Sequence, residues 1–323
     1  MAYQTGTANN LSDLLSKLAT FAQTLGWVVD KLITGTQPGL FVHNAHGYWS
    51  TGVGTSLYDT LYISGNTGFD TSVAWNAQPG TSMTYHGPWG TYYGVGTTNL
   101  TGPFTSYDFF GTPDYLHVVV QISPGRFRHF GIGILDKEGD YTGGHYAYGT
   151  RVNTGGSYIG RPDIAYHTYP LSDTVSATYN SSYYTSIVRA DGLGTTLPHW
   201  FLFGSPTAGV GAMGSGCSVT GLAERPHPDT LAVVTSQSQL GAAVAPVPNA
   251  ILGRSADGLW RRLGVVPDYG VCRMSGIAPR SRFSVNGDDW MIVPAMQLRD
   301  TTNAYGDGGD NSHLLGYAYR IVA

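Results

Sequence analysis

Apolar positions near the start of the chain recur with the spacing of one face of an α-helix. The apolar residues of this stripe are Leu11, Leu14, Leu15, Leu18, Phe21, Ala22 and Leu25. Asn10 precedes the stripe as an N-cap, Asp13 follows three residues later, and Gly26 stands where a helix would stop. The pattern therefore predicts a helix between Asn10 and Gly26, and then a strand at 27–29. We expect the stripe, including Leu14 and Leu18, to pack on its own chain, the alternative being a neighbouring subunit.

Short apolar and aromatic runs separated by turn residues make up most of the remaining chain. Residues 115–122 have the clearest strand pattern, and the turn residues at 123–126 predict a hairpin that returns over 127–135. A second hairpin is predicted over 283–293, where Asn286 and Gly287 are a strong turn signal. Further strand patterns are 57–63, 230–234 and 314–322. By contrast, residues 139–156 are rich in glycine and tyrosine and predict a loop.

These patterns predict a mainly β protein. We expect a short-stranded, sandwich-like or barrel-like body with one N-terminal helix and long Gly/Tyr-rich loops. The chain has 45 glycines and 22 tyrosines but only two glutamates and three lysines, the residues that favour exposed helices. We divide it into the helix with its lead-in strand, residues 1–33, and a β-rich body, residues 34–323. A candidate division within the body lies near 217–253.

Charged residues are scarce, at 12% of a chain with a net charge of −4. No basic run is present, and a nucleic-acid binder usually has one, so we expect no nucleic-acid partner. The only local enrichments are Arg261, Arg262, Arg273, Arg280 and Arg282. We interpret these arginines as partners in surface or interface ion pairs. A surface with so little charge suits a protein that is packed against other subunits.

The cysteines and the apolar runs indicate a cytoplasmic, soluble protein. Cys217 and Cys272 lie far apart in no CxxC pattern, which argues against a zinc module or a redox dithiol. Two buried thiols are the favoured state, and a bridge between them is the alternative. The first ten residues lack the features of a secretory signal, and no apolar run has membrane-spanning length. We therefore expect no membrane insertion.

No motif identifies a catalytic centre. The glycine-rich stretch 209–216 lacks the lysine of a phosphate loop, and its serine lies outside a G-x-S-x-G elbow. Asp288 and Asp289 are adjacent, so we assign them to a turn and not to paired catalytic carboxylates. The charged cluster at 136–140 is interpreted as a solvated turn. The sequence predicts that the protein is not an enzyme, although a triad built from distant residues is recognised only by its geometry.

Metal and cofactor signals are equally weak. His43 and His46 have an H-x-x-H spacing, but the glycines around them do not predict the helix that would align two imidazoles. The loop at 307–311 lacks the complete register of a calcium loop. We therefore expect no metal and no cofactor.

Aromatic side chains on predicted loops are the remaining binding signal. The candidate interaction residues are Leu14 and Leu18 of the helix stripe, together with Trp89, Tyr92, Tyr93, Tyr146 and Tyr148. Exposed rings of this kind stack on sugars or anchor a protein interface, and the low charge of the chain favours protein contact.

The chain opens with residues 1–8, MAYQTGTA, followed by the leucine-rich helix and Gly26-Trp27. This opening resembles that of a family of tailed-bacteriophage virion proteins, whose members start "MAYxTGTA…DLLxKLxxFxxxxGW". Residues 118–135 resemble its central strand pair, and residues 283–299 resemble its C-terminal "NGD" hairpin. Residues 217–279 resemble nothing in the family. The resemblance supplies no catalytic residues.

The resemblance implies a structural component of the virion, in the tail, baseplate or neck. Such a protein acts through contacts with other virion proteins, as a symmetric homo-oligomer assembled in the host cytoplasm. We expect the polar lead-in, residues 4–10, to order only on assembly and to dock on a neighbour. The alternatives are a module that binds host-surface glycan or receptor, and a virion-associated enzyme that degrades the cell wall.

Overall fold

The computed structural model describes residues 1–53, 60–82, 84–86, 91–93, 95–97, 100–152, 167–168, 186–194, 197–203, 246–257, 259–274, 277–295 and 315–321. In chain order the elements are β1 (Ala2–Ala8), α1 (Leu11–Thr24), β2 (Val28–Ile33), β3 (Gly39–His43), β4 (Tyr48–Val53), β5 (Leu61–Asn66), β6 (Thr84–His86), β7 (Thr91–Tyr93), β8 (Val95–Thr97), β9 (Phe104–Gly111), β10 (Tyr115–Ser123), β11 (Arg126–Ile134), β12 (Asp136–Lys137), β13 (Thr142–Gly149), β14 (Arg151–Val152), β15 (His167–Thr168), β16 (Ser186–Asp191), β17 (Trp200–Phe203), β18 (Val247–Arg254), β19 (Trp260–Arg273), β20 (Ser281–Val285), β21 (Asp288–Pro294) and β22 (Leu315–Ile321). The mainly β fold with one N-terminal helix is therefore confirmed within these residues.

Three antiparallel sheets make up the architecture. Sheet A has the order β1-β9-β10-β11-β13-β16-β17, and sheet B has the order β2-β3-β4-β5-β8. Sheet C has the order β12-β19-β22-β21-β20, with β18 also paired to β19. The strand pairs β6–β7 and β14–β15 form two small ribbons.

Helix α1 begins and ends where the sequence predicts. The Asn10 side chain accepts a hydrogen bond from the Asp13 backbone N–H at 2.9 Å, and the Asp13 carboxylate accepts one from the Asn9 N–H at 2.8 Å. This reciprocal capping satisfies N–H groups that have no partner inside the helix. After the helix, Gly26 has a φ of +88°, a conformation that glycine adopts without strain. Strand β2 follows directly, as predicted.

Both predicted hairpins are also confirmed. Strands β10 and β11 pair antiparallel across a turn at Gly125, and β20 and β21 pair across Asn286 and Gly287, both of which have positive φ. The predicted last strand is β22. The predicted strand at 57–63 is described only from residue 60 and overlaps β5, and 230–234 lies outside the described residues.

Sheet A is the middle layer and is buried on both faces. Leu116, Val118 and Val120 on β10 pack towards sheet B and α1, whereas Tyr115 and Val119 on the same strand pack towards sheet C. A strand that is covered on both faces carries apolar residues at successive positions, which explains the consecutive valines at 118–120 in the predicted strand.

Two cores lie on the two sides of sheet A. Core 1 is the cluster between sheet A, sheet B and α1. It includes Leu14, Leu15, Leu18, Trp27, Leu40, Trp49, Ile63, Phe109, Val118, Ile187 and Trp200. Core 2 is the cluster between sheet A and sheet C. It includes Phe110, Tyr115, Val119, Tyr146, Tyr148, Val188, Leu263, Tyr269, Met291, Tyr317 and Tyr319.

The first 33 residues contribute to more than one layer. Strand β1 pairs with β9 in sheet A, α1 fills core 1, and β2 pairs with β3 in sheet B. Of the helices in the described part of the chain, none is long and apolar enough to cross a membrane.

Candidate functional site

The predicted interaction residues of the helix lie inside the protein. Leu14 is fully buried and Leu18 is 4% exposed, and both belong to core 1. This agrees with the expectation that the helix packs on its own chain. In this fold neither leucine can reach a neighbouring subunit.

The polar lead-in does not wait for a partner to become ordered. It forms β1, and the Tyr3 hydroxyl donates to the buried Asp108 carboxylate at 2.7 Å. The Arg280 guanidinium donates to the same carboxylate at 2.6 Å and to the Thr5 hydroxyl at 2.8 Å. The expectation that residues 4–10 order only on assembly is therefore wrong, because Asp108 and Arg280 of the same chain hold this segment.

The tyrosine loop predicted at 139–156 is wrong over its middle part. Residues 142–149 form β13, which pairs with β11 and β16 in the middle layer. Tyr146 and Tyr148 are fully buried and face core 2, so they are not exposed loop anchors. Trp89 lies outside the described residues. Tyr92 and Tyr93 lie on β7, which pairs with β6.

Two buried histidines connect sheet A to sheet C. His117 Nε2 lies 3.1 Å from the Pro267 carbonyl oxygen and its Nδ1 lies 2.7 Å from the Tyr148 hydroxyl. His129 repeats the arrangement, with Nε2 2.8 Å from the Pro294 carbonyl and Nδ1 2.7 Å from the Tyr319 hydroxyl. Because a carbonyl oxygen only accepts, both rings carry their hydrogen on Nε2, and each Nδ1 accepts from a tyrosine.

Burial keeps both imidazoles neutral. Desolvation lowers the pKa of His117 to about 4 and that of His129 to about 3, although each proline carbonyl acts in the opposite direction. The same desolvation raises the pKa of the Tyr148 and Tyr319 hydroxyls. His117, His129, Tyr148 and Tyr319 are fully buried, so the cluster is a hydrogen-bonded link between two sheets.

A partly exposed ionic cluster borders this link. The Tyr115 hydroxyl donates to Asp268 at 2.5 Å, and Arg320 pairs with Asp268 at 3.2 Å and also with Asp288. Burial, followed by the Asp268 charge, raises the pKa of the Tyr115 hydroxyl. Asp268 has a φ of +52°, an uncommon conformation for a residue other than glycine, and its backbone lies within β19. The cluster fixes β22 and β19 against sheet A.

The predicted arginine pairing is confirmed at three positions. Arg261 pairs with Asp257 at 2.7 Å, and Arg262 pairs with Glu138 at 3.0 Å. Arg280 binds Asp108, as described above. Glu138 is exposed, in agreement with a solvated charged turn at 136–140, although Asp136 and Lys137 also form the short strand β12.

The histidines of the H-x-x-H pattern contact different carboxylates. His43 Nδ1 lies 2.9 Å from Asp30, and His46 Nε2 lies 3.3 Å from Asp114. Among the described residues, no three His, Cys, Asp or Glu side chains group as metal ligands. Cys272 is a buried free thiol whose pKa is raised by desolvation, and Cys217 lies outside the described residues.

A groove lies on the outer face of sheet B. It has a volume of about 320 Å³ and lies between the β2–β3 turn and the loop at 67–82. The lining residues that define its chemistry are Lys31, Thr36, Gln37, Phe41, Gly52 and Trp75. No local sequence pattern predicts this groove, because its lining comes from segments that only the pairing of β2, β3 and β4 brings together.

Trp75 is held in place from two sides. Its ring stacks on Tyr62, with centroids 5.7 Å apart and planes 16° apart, and its carbonyl accepts from the Ser50 hydroxyl at 2.6 Å. Glycine is required beneath it, because a Cβ on Gly52 would lie 2.1 Å from the indole Cδ1. The ring therefore lies directly on the backbone of β4.

The loop that supplies Trp75 is fastened by one buried amide. Gln78, which is 2% exposed, donates from Nε2 to the carbonyls of Asp70, Val73 and Ala74 at 3.0–3.2 Å. Its Oε1 accepts from the Asp70 N–H at 2.8 Å. A buried side chain with this many backbone partners gives the loop one conformation, and the indole a fixed position.

No protein-family model matches this chain, and no curated protein matches it significantly.

Proposed function

We propose that this protein is a structural component of a tailed-bacteriophage particle, in the tail, baseplate or neck, and that it acts through contacts with other virion proteins. The observation that supports this proposal is the position of the segment that resembles the virion family. Residues 1–8 are β1 of sheet A, and the leucine-rich helix is α1 in core 1. The resemblance therefore concerns residues that join the layers of the fold.

Trp27, the last residue of the segment that resembles the virion family, also joins parts of the fold. The Trp27 indole N–H donates to the Thr112 carbonyl at 2.8 Å, and its ring packs 5.3 Å from the Trp49 ring. These contacts tie the residue after the helix to both sheet A and sheet B. If the family shares this segment, we expect it to share this junction as well, which supports a structural role for the segment.

Exposed apolar side chains offer contact points for neighbouring subunits. Val28 and Leu32, 48% and 37% exposed, lie on β2, which among the described strands pairs with β3 alone. Leu197 and Leu259, 77% and 58% exposed, flank two turns that are joined by the hydrogen bond from the Ala256 N–H to the Leu193 carbonyl. Exposed apolar groups in a surface with few charges favour protein contact.

Labelling of purified phage particles tests the proposal. An antibody against the chain, followed by gold labelling and electron microscopy, should mark one station of the tail, baseplate or neck in repeated copies. Mass spectrometry of the same particles should recover the chain at a fixed ratio to the other virion proteins. Recovery of the chain only from the particle-free lysate would contradict the proposal.

Paired serine variants test which contact points are used. Leu197→Ser with Leu259→Ser, and separately Val28→Ser with Leu32→Ser, should reduce incorporation into particles while leaving the melting temperature nearly unchanged, since all four side chains are exposed. Gln23→Ser, an exposed polar position on α1, is the control and should incorporate normally. Normal incorporation of both double variants would exclude these contact points.

A further inference from the structure

We infer that the groove on the outer face of sheet B binds an acidic saccharide of one or two rings. This site is separate from the assembly contacts proposed above, and it uses none of their four apolar residues. The inference rests on three features of the described lining: a fixed indole, a lysine ammonium with no carboxylate among the described lining residues, and a rim of polar side chains.

The fixed indole provides a flat apolar surface. Trp75 is half-buried and lines the groove, and Gly52, Tyr62 and Gln78 hold it as described above. The C–H face of a sugar ring packs on an aromatic plane of this kind, while its hydroxyls remain available at the edges. Because the loop is already ordered, binding requires little further loss of conformational freedom.

The charge of the groove selects for an anion. Among the lining residues that the structure describes, Lys31 is the only charged one and none is a carboxylate. Its ammonium lies 5.6 Å from the centre of the Phe41 ring and donates to the Thr71 carbonyl at 3.1 Å. An ammonium has three N–H donors, and within the described residues this is the only hydrogen bond that Lys31 makes. A carboxylate on the ligand would therefore find an available donor and a complementary charge.

The rim supplies hydrogen-bonding groups for hydroxyls. Thr34, Thr36 and Gln37 are exposed and line the turn between β2 and β3. Their hydroxyl and amide groups both donate and accept, as sugar hydroxyls do. The volume, about 320 Å³, is at the lower end for small-molecule sites, which limits the ligand to one or two rings in contact.

An array of acidic and neutral glycans, probed with the purified full-length chain, is the first test. Uronate-bearing or sialate-bearing glycans should be retained above neutral ones. Calorimetric titration of the best acidic glycan and of its methyl ester then isolates the carboxylate. Trp75→Ala should weaken glycan binding by at least about tenfold. Lys31→Gln should weaken binding of the acidic glycan by about tenfold and leave the affinity for its methyl ester unchanged. Lys17→Gln, on α1 and outside the groove lining, is the matched control and should bind normally.

Each other outcome overturns the inference. It fails if no acidic glycan is retained above the Trp75→Ala background, or if acidic and neutral glycans bind equally. It also fails if binding persists unchanged in both groove variants, since the glycan would then occupy another surface. If Trp75→Ala does not fold, the Lys31→Gln and Gln37→Ala variants provide the test, and unchanged glycan binding in both would overturn the inference. A groove variant that alters subunit association, with no glycan bound by the parent chain, would assign the groove to a protein partner instead.

Discussion

Core 1 and core 2 share sheet A as a common wall but differ in chemistry. Core 1 is mainly aliphatic, and Tyr107 is its one buried tyrosine among the described residues. Core 2 has seven buried tyrosines, and His117 and His129 are hydrogen-bonded to two of them. Apolar contact is non-directional, whereas buried hydroxyls and imidazoles need matched donors and acceptors. The stability of core 1 should therefore depend mainly on side-chain volume. The stability of core 2 should depend on its hydrogen bonds and on the protonation of its histidines.

Lowering the pH should have the largest effect on the free energy of unfolding. Burial lowers the pKa of His117 to about 4 and of His129 to about 3 in core 2, and of His145, beside Trp49, to about 4. An unfolded histidine has a pKa near 6.5, so below that pH the unfolded chain binds more protons and the free energy of unfolding falls. At pH 5 the loss should be roughly 2 kcal/mol per histidine. Urea unfolding at pH 7, 6 and 5 measures it.

A single variant divides this acid sensitivity between the two sides of sheet A. His145→Gln removes the histidine that packs beside Trp49, and it should reduce the loss between pH 7 and pH 5 by roughly 2 kcal/mol. The shares of His117 and His129 in core 2 should remain. An unfolding free energy that does not change between pH 7 and pH 5 would contradict the assignment of neutral, buried imidazoles.

Removing volume from core 1 should have the next largest effect. Leu15 is fully buried, and Leu15→Ala should lower the free energy of unfolding by about 2–5 kcal/mol, because methyl groups are lost and a cavity remains. Leu197→Ala, at a residue that is 77% exposed, is the control and should change it by less than about 0.5 kcal/mol. Equal values for the two variants would contradict the burial of the helix in core 1.

Two glycines on sheet A compare how rigidly the cores are packed. A Cβ on Gly131 would lie 2.6 Å from the Tyr148 ring, which is hydrogen-bonded to His117, whereas a Cβ on Gly111 would meet Leu25 at 2.6 Å. A leucine can change rotamer more easily than a ring that is held at both ends. Gly131→Ala should therefore cost about 1–3 kcal/mol, and Gly111→Ala less. Thermal unfolding compares them, and the reverse order would contradict the more rigid packing of core 2.

Removing a single tyrosine hydroxyl from core 2 should change the free energy of unfolding least. The size of the change should differ between hydroxyls with and without a hydrogen-bond partner. Tyr319→Phe leaves His129 Nδ1 without its donor, which should cost about 1–2 kcal/mol. The Tyr146 hydroxyl is buried with no hydrogen-bond partner among the described residues, so Tyr146→Phe should be neutral or stabilising. Chemical denaturation of both variants at pH 7 measures the difference. Equal losses would contradict the directional account of core 2.

The two cores also differ in how well the sequence predicts them. The helix of core 1 has apolar residues at helical spacing and a cap at each end, so local physics alone locates it. The hairpins with Gly125 and with Asn286-Gly287 are predicted for a similar reason, since the turn and the flanking strands are adjacent in sequence.

Core 2 is harder to predict because its signals resemble those of a loop. Strand β13 contains Gly143 and Gly144, both at positive φ, followed by tyrosines that the sequence alone places in solvent. These tyrosines are buried only because sheet C covers them, and apart from β12 the strands of sheet C begin at Val247, about a hundred positions later. Lys31 and Trp75 of the groove are brought together by the same kind of non-local pairing, so no local pattern marks them.

Nuclear magnetic resonance of histidine, labelled with ¹⁵N in the imidazole ring, tests the link between sheets A and C most directly. The account predicts that His117 and His129 are neutral at pH 5, each with its hydrogen on Nε2 and an unprotonated Nδ1 that accepts from tyrosine. Tyr148→Phe and Tyr319→Phe assign the two signals by perturbing one ring each. Rings that exchange between tautomers at pH 7, or that gain a proton near pH 6.5, would contradict the account.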